Sequence, residues 1–221
     1  MPKYFTETGD GSAGNGGDGF TAVGTNNTWP NFRSVSLGAK TFDNTSTTST
    51  IQARGIGTDT YAIAQTFLEF ETAIDDAVSI ELYLYCESIS SDGATISVLE
   101  GEWTGQPVDS GTNLTNRCNY ADPWTAETSI SVGANIISLN ASAVSYINAN
   151  STFRIMIVEH HMMSDSTPPA TGDDHNATFS MADHGTASRR PYIEAKSLKS
   201  GIIRIPVDFG KITLSSGKIT F

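Results

Sequence analysis

At 221 residues, with 17% of them charged and a formal net charge of −11, the chain has the length of one large domain and the composition of a folded acidic one. Thirteen Lys and Arg against 24 Asp and Glu do not form the cationic footprint that phosphate backbones or anionic lipid surfaces require, so nucleic acid and membrane are excluded as expected partners. No apolar run approaches the roughly 20 residues that span a bilayer. Residues 1–10 lack the charged and apolar regions of a signal peptide, which predicts synthesis in a cytoplasm without export by that route. Residues 9–19, rich in glycine, predict a loop or arm, because glycine costs backbone entropy and buries nothing. Asp10, Asn15 and Asp18 within it are candidate oxygen ligands for Ca²⁺, although their spacing is not that of an EF-hand. No other cofactor is expected.

Phe20 to Val23 begins the first predicted strand, and Trp29 with Phe32 and Arg33 reads as a core anchor near a turn. Residues 43–50 are a polar loop, and Thr50 to Arg54 a short edge strand. The clearest pattern lies at 61–88. An aromatic-rich segment from Tyr61 to Phe70 is followed by Asp75-Asp76 and then by strict alternation. Ile80, Leu82, Leu84 and Cys86 share one face; Glu81, Tyr83, Tyr85 and Glu87 share the other. A period of two predicts a strand with one face on a core and one toward water. Aspartates favour chain reversal through side-chain bonds to their own backbone. The reading is therefore two strands joined by an acidic turn, in the middle of one sheet.

Thr95 to Leu99 is a further strand, after a turn at Ser91 to Ala94. Residues 104–128 lack a period and predict a long connection carrying Trp124. Thr128 to Leu139 reads as one or two strands broken at Gly133. Leu139 to Asn150 is the one helix: Asn140 caps it, and Leu139 and Val144 form a hydrophobic staple. Thr152 to Val158 is apolar but for Thr152 and Arg154 and predicts a central strand. Residues 164–177 form a loop, followed by short strands at Ala177 to Met181 and Pro191 to Ala195.

Many short strands with a single helix predict an all-β fold, a jelly-roll β-sandwich with one short helix and a β-prone C-terminal arm. The expected organisation is an arm or loop at 1–19, the sandwich at 20–198 and the arm at 199–221. In that arm Gly-Lys-Ile-Thr occurs at 210–213 and again at 217–220. Its apolar residues Ile202, Ile203, Ile205, Val207, Phe209, Ile212, Leu214, Ile219 and Phe221 are candidates for strand pairing with another chain. A further hairpin packed on the same domain is the alternative.

Catalysis finds little support, and the chain is not expected to be an enzyme. It has no Gly-X-Ser-X-Gly elbow, and the Gly-Lys-Ile-Thr copies lack the rest of a phosphate loop. Asp75-Asp76 and Asp173-Asp174 read as turn residues. His160 and His161 are adjacent, so on a strand they point to opposite faces and do not chelate one metal together. His175 and His184 fall in polar loops. Cys86 reads as a buried thiol. Tyr83, Tyr85 and Trp124 are candidate platforms for a glycan, with cross-strand packing as the alternative.

The ordered set of segments carries a resemblance. Asp18-Gly19-Phe20, Thr28-Trp29, Phe32-Arg33 and Gly38 open it. Phe67 to Thr72, Ile74 to Ala77 and Ile80 to Tyr85 follow, then Ser138 to Ala141 with Tyr146-Ile147, and Arg190 to Glu194 closes it. Over residues 18 to 198 this order resembles a β-sandwich domain of bacteriophage virion proteins, similar in pattern to DNRLRE-type and carbohydrate-binding-module jelly rolls. The resemblance implies a virion structural protein, a capsid decoration or tail accessory located in the particle. Its implied partners are capsid or tail subunits and further copies of itself. Adhesion to host or surface glycans as a carbohydrate-binding module is the alternative.

Overall fold

The computed structural model describes residues 3–5, 19–25, 29, 41–42, 47–58, 60–72, 74–101, 120–164, 167–197, 213–215 and 218–220. The described fold is all-β and antiparallel, a sandwich-like arrangement made from one curled sheet. Its strands are β1 (Lys3–Phe5), β2 (Gly19–Thr25), β3 (Thr41–Phe42), β4 (Thr48–Gly57), β5 (Thr60–Glu71), β6 (Ala77–Ile89) and β7 (Thr95–Glu100). They continue with β8 (Thr128–Ser129), β9 (Gly133–Leu139), β10 (Thr152–Glu159), β11 (Asp174–Ser180) and β12 (Tyr192–Ser197). The helix α1 (Ala141–Ala149) stands between β9 and β10. The order β1-β12-β6-β11-β4-β5-β10-β7-β8 runs through the sheet, with β9 added beside β6 and β2 beside β5. A separate two-stranded sheet joins β13 (Thr213–Ser215) to β14 (Lys218–Thr220), with Leu214 opposite Ile219. Among the described residues no helix is long and apolar enough to cross a membrane.

The long strands β5 and β6 do what their sequences predict singly but not together. β6 alternates as expected, with Ile80, Leu82, Leu84 and Cys86 all buried. It pairs with β12, β9 and β11, whereas β5 pairs with β2, β4 and β10. The two strands therefore do not form a hairpin within one sheet. They meet the same core from opposite sides, Leu68 and Phe70 from β5 facing the apolar row of β6. The reason lies at the crossing. Thr72 N–H donates to the Ser151 carbonyl at 2.7 Å, and Ala77 N–H to Asn148 Oδ1 at 2.8 Å. Asn148 Nδ2 returns a bond to the Ala77 carbonyl at 2.9 Å. The backbone at Thr72 and at Ala77 is thus bonded by residues at and just after the end of α1.

β5 is buried almost end to end, from Tyr61 to Leu68 and again at Phe70. Even residues such as Leu68 and Phe70 join the main core with Ile155, Ile157, Phe153 and Trp124. Odd residues such as Tyr61, Ile63 and Phe67 join a second cluster with Trp29, Leu99, Met156 and Met162 on the other face. Trp29 is the anchor its sequence predicts: its indole N–H donates to the Ser164 carbonyl at 2.7 Å, and its ring meets Tyr61 edge-on. Each such large apolar side chain contributes about 1.5–3 kcal/mol by leaving water.

β4 departs from expectation. It extends over ten residues and pairs with β11 on one side and β5 on the other, so it is interior and not a short edge. The polar stretch before Ile51 conceals this because Ser49 and Thr50 bond sideways to Thr66 and Thr178 at 2.7 and 2.9 Å. The helix forms as predicted. Asn140 Oδ1 accepts from the Ser142 and Ala143 N–H groups, and Ala143 and Ile147 are buried against the core.

Candidate metal centre and partner-facing surfaces

At the end of β10 the apolar run stops at Glu159, and the chain turns into a 3₁₀ segment, His160–Met163. The Glu159 side chain is 1% exposed. A buried carboxylate is costly unless it is bonded. Its Oε2 accepts from the His161 N–H at 2.9 Å and lies 2.8 Å from His161 Nδ1. The carboxylate thus caps the turn and orients the ring. This hydrogen bond is the main reason that the His161 pKa is raised above the ordinary imidazole value.

The turn also separates the two adjacent histidines. His160 Nδ1 lies 2.8 Å from Ser97 Oγ and its Nε2 3.7 Å from Glu127. His161 packs instead on His175. That residue is on β11, opposite Ala53, and not in a loop as its polar neighbours predict. The two rings stack 4.5 Å apart at 24°. A Glu159 oxygen and one nitrogen of each ring all lie within 4.8 Å of one another. They line an open pocket of roughly 390 Å³, whose rim includes Asp92, Thr95 and Glu127. Asp173 stands 3.9 Å from His175 Nε2.

The spacing of the histidines hides this cluster because a 3₁₀ turn, not a continued strand, follows Glu159. A usable signal was present. Glu followed two residues later by His, directly after an apolar strand, is the spacing at which a carboxylate can cap the N–H of the new turn and bond its ring.

His184 sits elsewhere, 3.5 Å from Glu87, and its Nδ1 accepts from the Thr186 N–H at 3.1 Å. Glu87 also accepts from Ser180 at 2.5 Å and from Arg189 Nη1 on both oxygens at 3.0 Å. The Ser180 hydroxyl foremost, then Arg189, holds its pKa below the ordinary carboxylate value.

The aromatic candidates for glycan stacking lie in three different settings. Trp124 is 1% exposed and stacks on Phe153 at 4.9 Å, so no sugar can reach it. Its placement in the core follows from backbone bonds to Val98 and Asn140, which hold this residue inward. Tyr83 stacks on Tyr192, its register partner, at 4.4 Å and donates to the Ser188 carbonyl. Tyr85 lies under the Arg189 guanidinium at 4.5 Å. Both tyrosines are half-buried by these partners. Asp10, Asn15 and Asp18 lie outside the described residues, as do Ile202, Ile203, Ile205, Val207, Phe209, Ile212 and Phe221 of the C-terminal arm.

Beside this face runs β9, which pairs with β6 on one side and with no described strand on the other. Its Ile136 is 69% exposed, and Val132 just before it 64%. No charge and no proline occur in Gly133–Leu139.

No protein-family model matches the chain, and no curated protein matches it.

Proposed function

We propose that this chain is a structural protein of a bacteriophage particle, a capsid decoration or tail accessory that joins neighbouring subunits by strand addition. The observation that carries the reading is the edge of β9 that no described strand covers. Edge strands in free-standing proteins are ordinarily blunted by charge, proline or a bulge, because their unpaired backbone is a template for another chain. Gly133–Leu139 has neither charge nor proline, and exposes Ile136. An incoming strand would gain main-chain hydrogen bonds and cover that side chain. The C-terminal hairpin supports the reading from the other side, since its two strands form a sheet of their own outside the main one. A two-stranded hairpin alone is marginal in water and gains stability by pairing further. The resemblance of segment order at 18 to 198 supplies the particle context.

Glycan adhesion has less to rest on. Trp124 is interior, and the faces of Tyr83 and Tyr85 are taken up by Tyr192 and Arg189.

Co-expression with the capsid and tail genes of a phage that encodes it tests the proposal. The full chain is expected to sediment with assembled particles. Ile136→Lys, and a chain ending at residue 198, are expected to stay folded by circular dichroism and to remain in the supernatant. Failure of the full chain to sediment with any particle overturns the proposal.

A further inference from the structure

We propose that Glu159, His161 and His175 form a binding site for a divalent transition-metal ion of the zinc class, which ties the end of β10 to β11. This is independent of the particle reading. The two strands do not pair with each other: β10 bonds β5 and β7, and β11 bonds β4 and β6. The side-chain cluster at the pocket bridges them.

The donor set selects the ion. Two imidazoles and one carboxylate are the three protein ligands of an open zinc site, with the fourth position left to water or an outside donor. Here that position faces the pocket of roughly 390 Å³. Calcium takes six to eight oxygens and magnesium a near-octahedral oxygen shell, which one carboxylate does not provide. Nitrogen donors favour the later first-row ions.

The geometry is close to what binding requires. With metal–ligand bonds near 2.0–2.2 Å, donor atoms around a tetrahedral zinc lie about 3.4 Å apart. The three donors here lie within 4.8 Å, so closure needs shifts of about an ångström, within the reach of side-chain torsions. Glu159 is held by the backbone N–H of His161, which supplies the outer bond that ligating carboxylates ordinarily have. A cation at the three donor atoms also gives the buried carboxylate a full countercharge, which two hydrogen bonds only approximate.

The test uses the full chain without a histidine tag, stripped by chelator. Titration calorimetry is expected to show one zinc per chain, and Ca²⁺ or Mg²⁺ at the same concentration no heat. Free zinc a hundredfold above its Kd is expected to raise the thermal midpoint by on the order of 5–10 °C. His175→Ala and His161→Gln are each expected to weaken zinc at least tenfold, and His184→Ala to leave it unchanged. Cobalt added to the unsubstituted chain gives a reading that needs no variant: intense visible bands mark a four- or five-coordinate site, a pale octahedral spectrum its absence. The inference is overturned by a pale cobalt spectrum. It is equally overturned by zinc affinity that His175→Ala does not change, or that His184→Ala reduces as much.

Discussion

Trp124→Ala separates a core residue from a surface platform most sharply. The side chain is 1% exposed and is stacked on Phe153, with Tyr146 at 5.3 Å on another side. A tryptophan of this kind removes about 200 Å² from water. At ~25 cal/mol per Å² the lost transfer energy is about 5 kcal/mol, an upper bound because the unfolded chain is itself partly compact. Collapse around the gap is restricted, since the Trp124 backbone is held by Val98 at 2.7 Å and by Asn140 at 3.0 Å. The expected loss is therefore about 3–5 kcal/mol, in the range of aromatic-to-alanine changes in cores. Trp124→Phe keeps most of the stacking and is expected to lose about 1–2 kcal/mol. Urea unfolding followed by far-UV circular dichroism reads both, provided that the slope m is unchanged. A Trp124→Ala protein that unfolds within 1 kcal/mol of the parent with the same m would refute the core assignment.

Three further outcomes follow from the structure. The lowered pKa of Glu87 means that its bonds to Ser180 and Arg189 stabilise the fold above the unfolded value near 4.5, and that this contribution is lost as pH falls through the lower folded value; Glu87→Gln is expected to flatten the acid limb of a stability–pH curve measured by urea unfolding. Gly55→Ala would place a Cβ in overlap with the Ala170 carbonyl oxygen and 2.8 Å from that of Pro169. Because Gly55 is bonded to Asp173 and Gly172 through both its backbone groups, the cost is expected to be about 2–3 kcal/mol, and a parallel loss of zinc affinity would show the strain reaching His175. Asn140→Ala removes the two cap bonds of α1 and is expected to cost about 1 kcal/mol, with Asn140→Ser recovering most of it in the same assay.

Where one face of an element meets water, the sequence showed it. The alternation of β6 and the Asn140 cap were legible because each is a local pattern whose physics needs no partner. What β6 pairs with was not. An acidic stretch between two strands looks the same whether the chain reverses within one sheet or crosses the core, and the difference is made by Asn148, more than 70 residues away along the chain. Trp124 was illegible for the opposite reason, having no periodic neighbours, so only its backbone bonds reveal that it turns inward. The metal cluster depends on a turn type and on a strand register, His175 opposite Ala53. Neither is written in the spacing of the histidines.

The burial of β5 on both faces carries a risk of its own. In most strands a slip of one residue drives apolar groups into water and is rejected at once. Between Tyr61 and Phe70 a slip would merely trade Phe67 for Leu68 between the two cores, leaving greasy surface on both sides. Oil alone cannot choose the alignment. The choice falls to polar side chains: half-buried Glu69, which accepts from its register partner Arg154 at 2.6 Å, and the two buried residues in the middle, Thr66, whose hydroxyl meets Ser49 at 2.7 Å, and Gln65, whose amide donates to Tyr120 at 3.2 Å. Slipped by one position, Thr66 and Gln65 would both be stranded without water, at about 1–3 kcal/mol each. These two side chains act as the ratchet tooth of the strand, and replacing both with valine should leave a protein that is just as apolar inside but folds to more than one alignment.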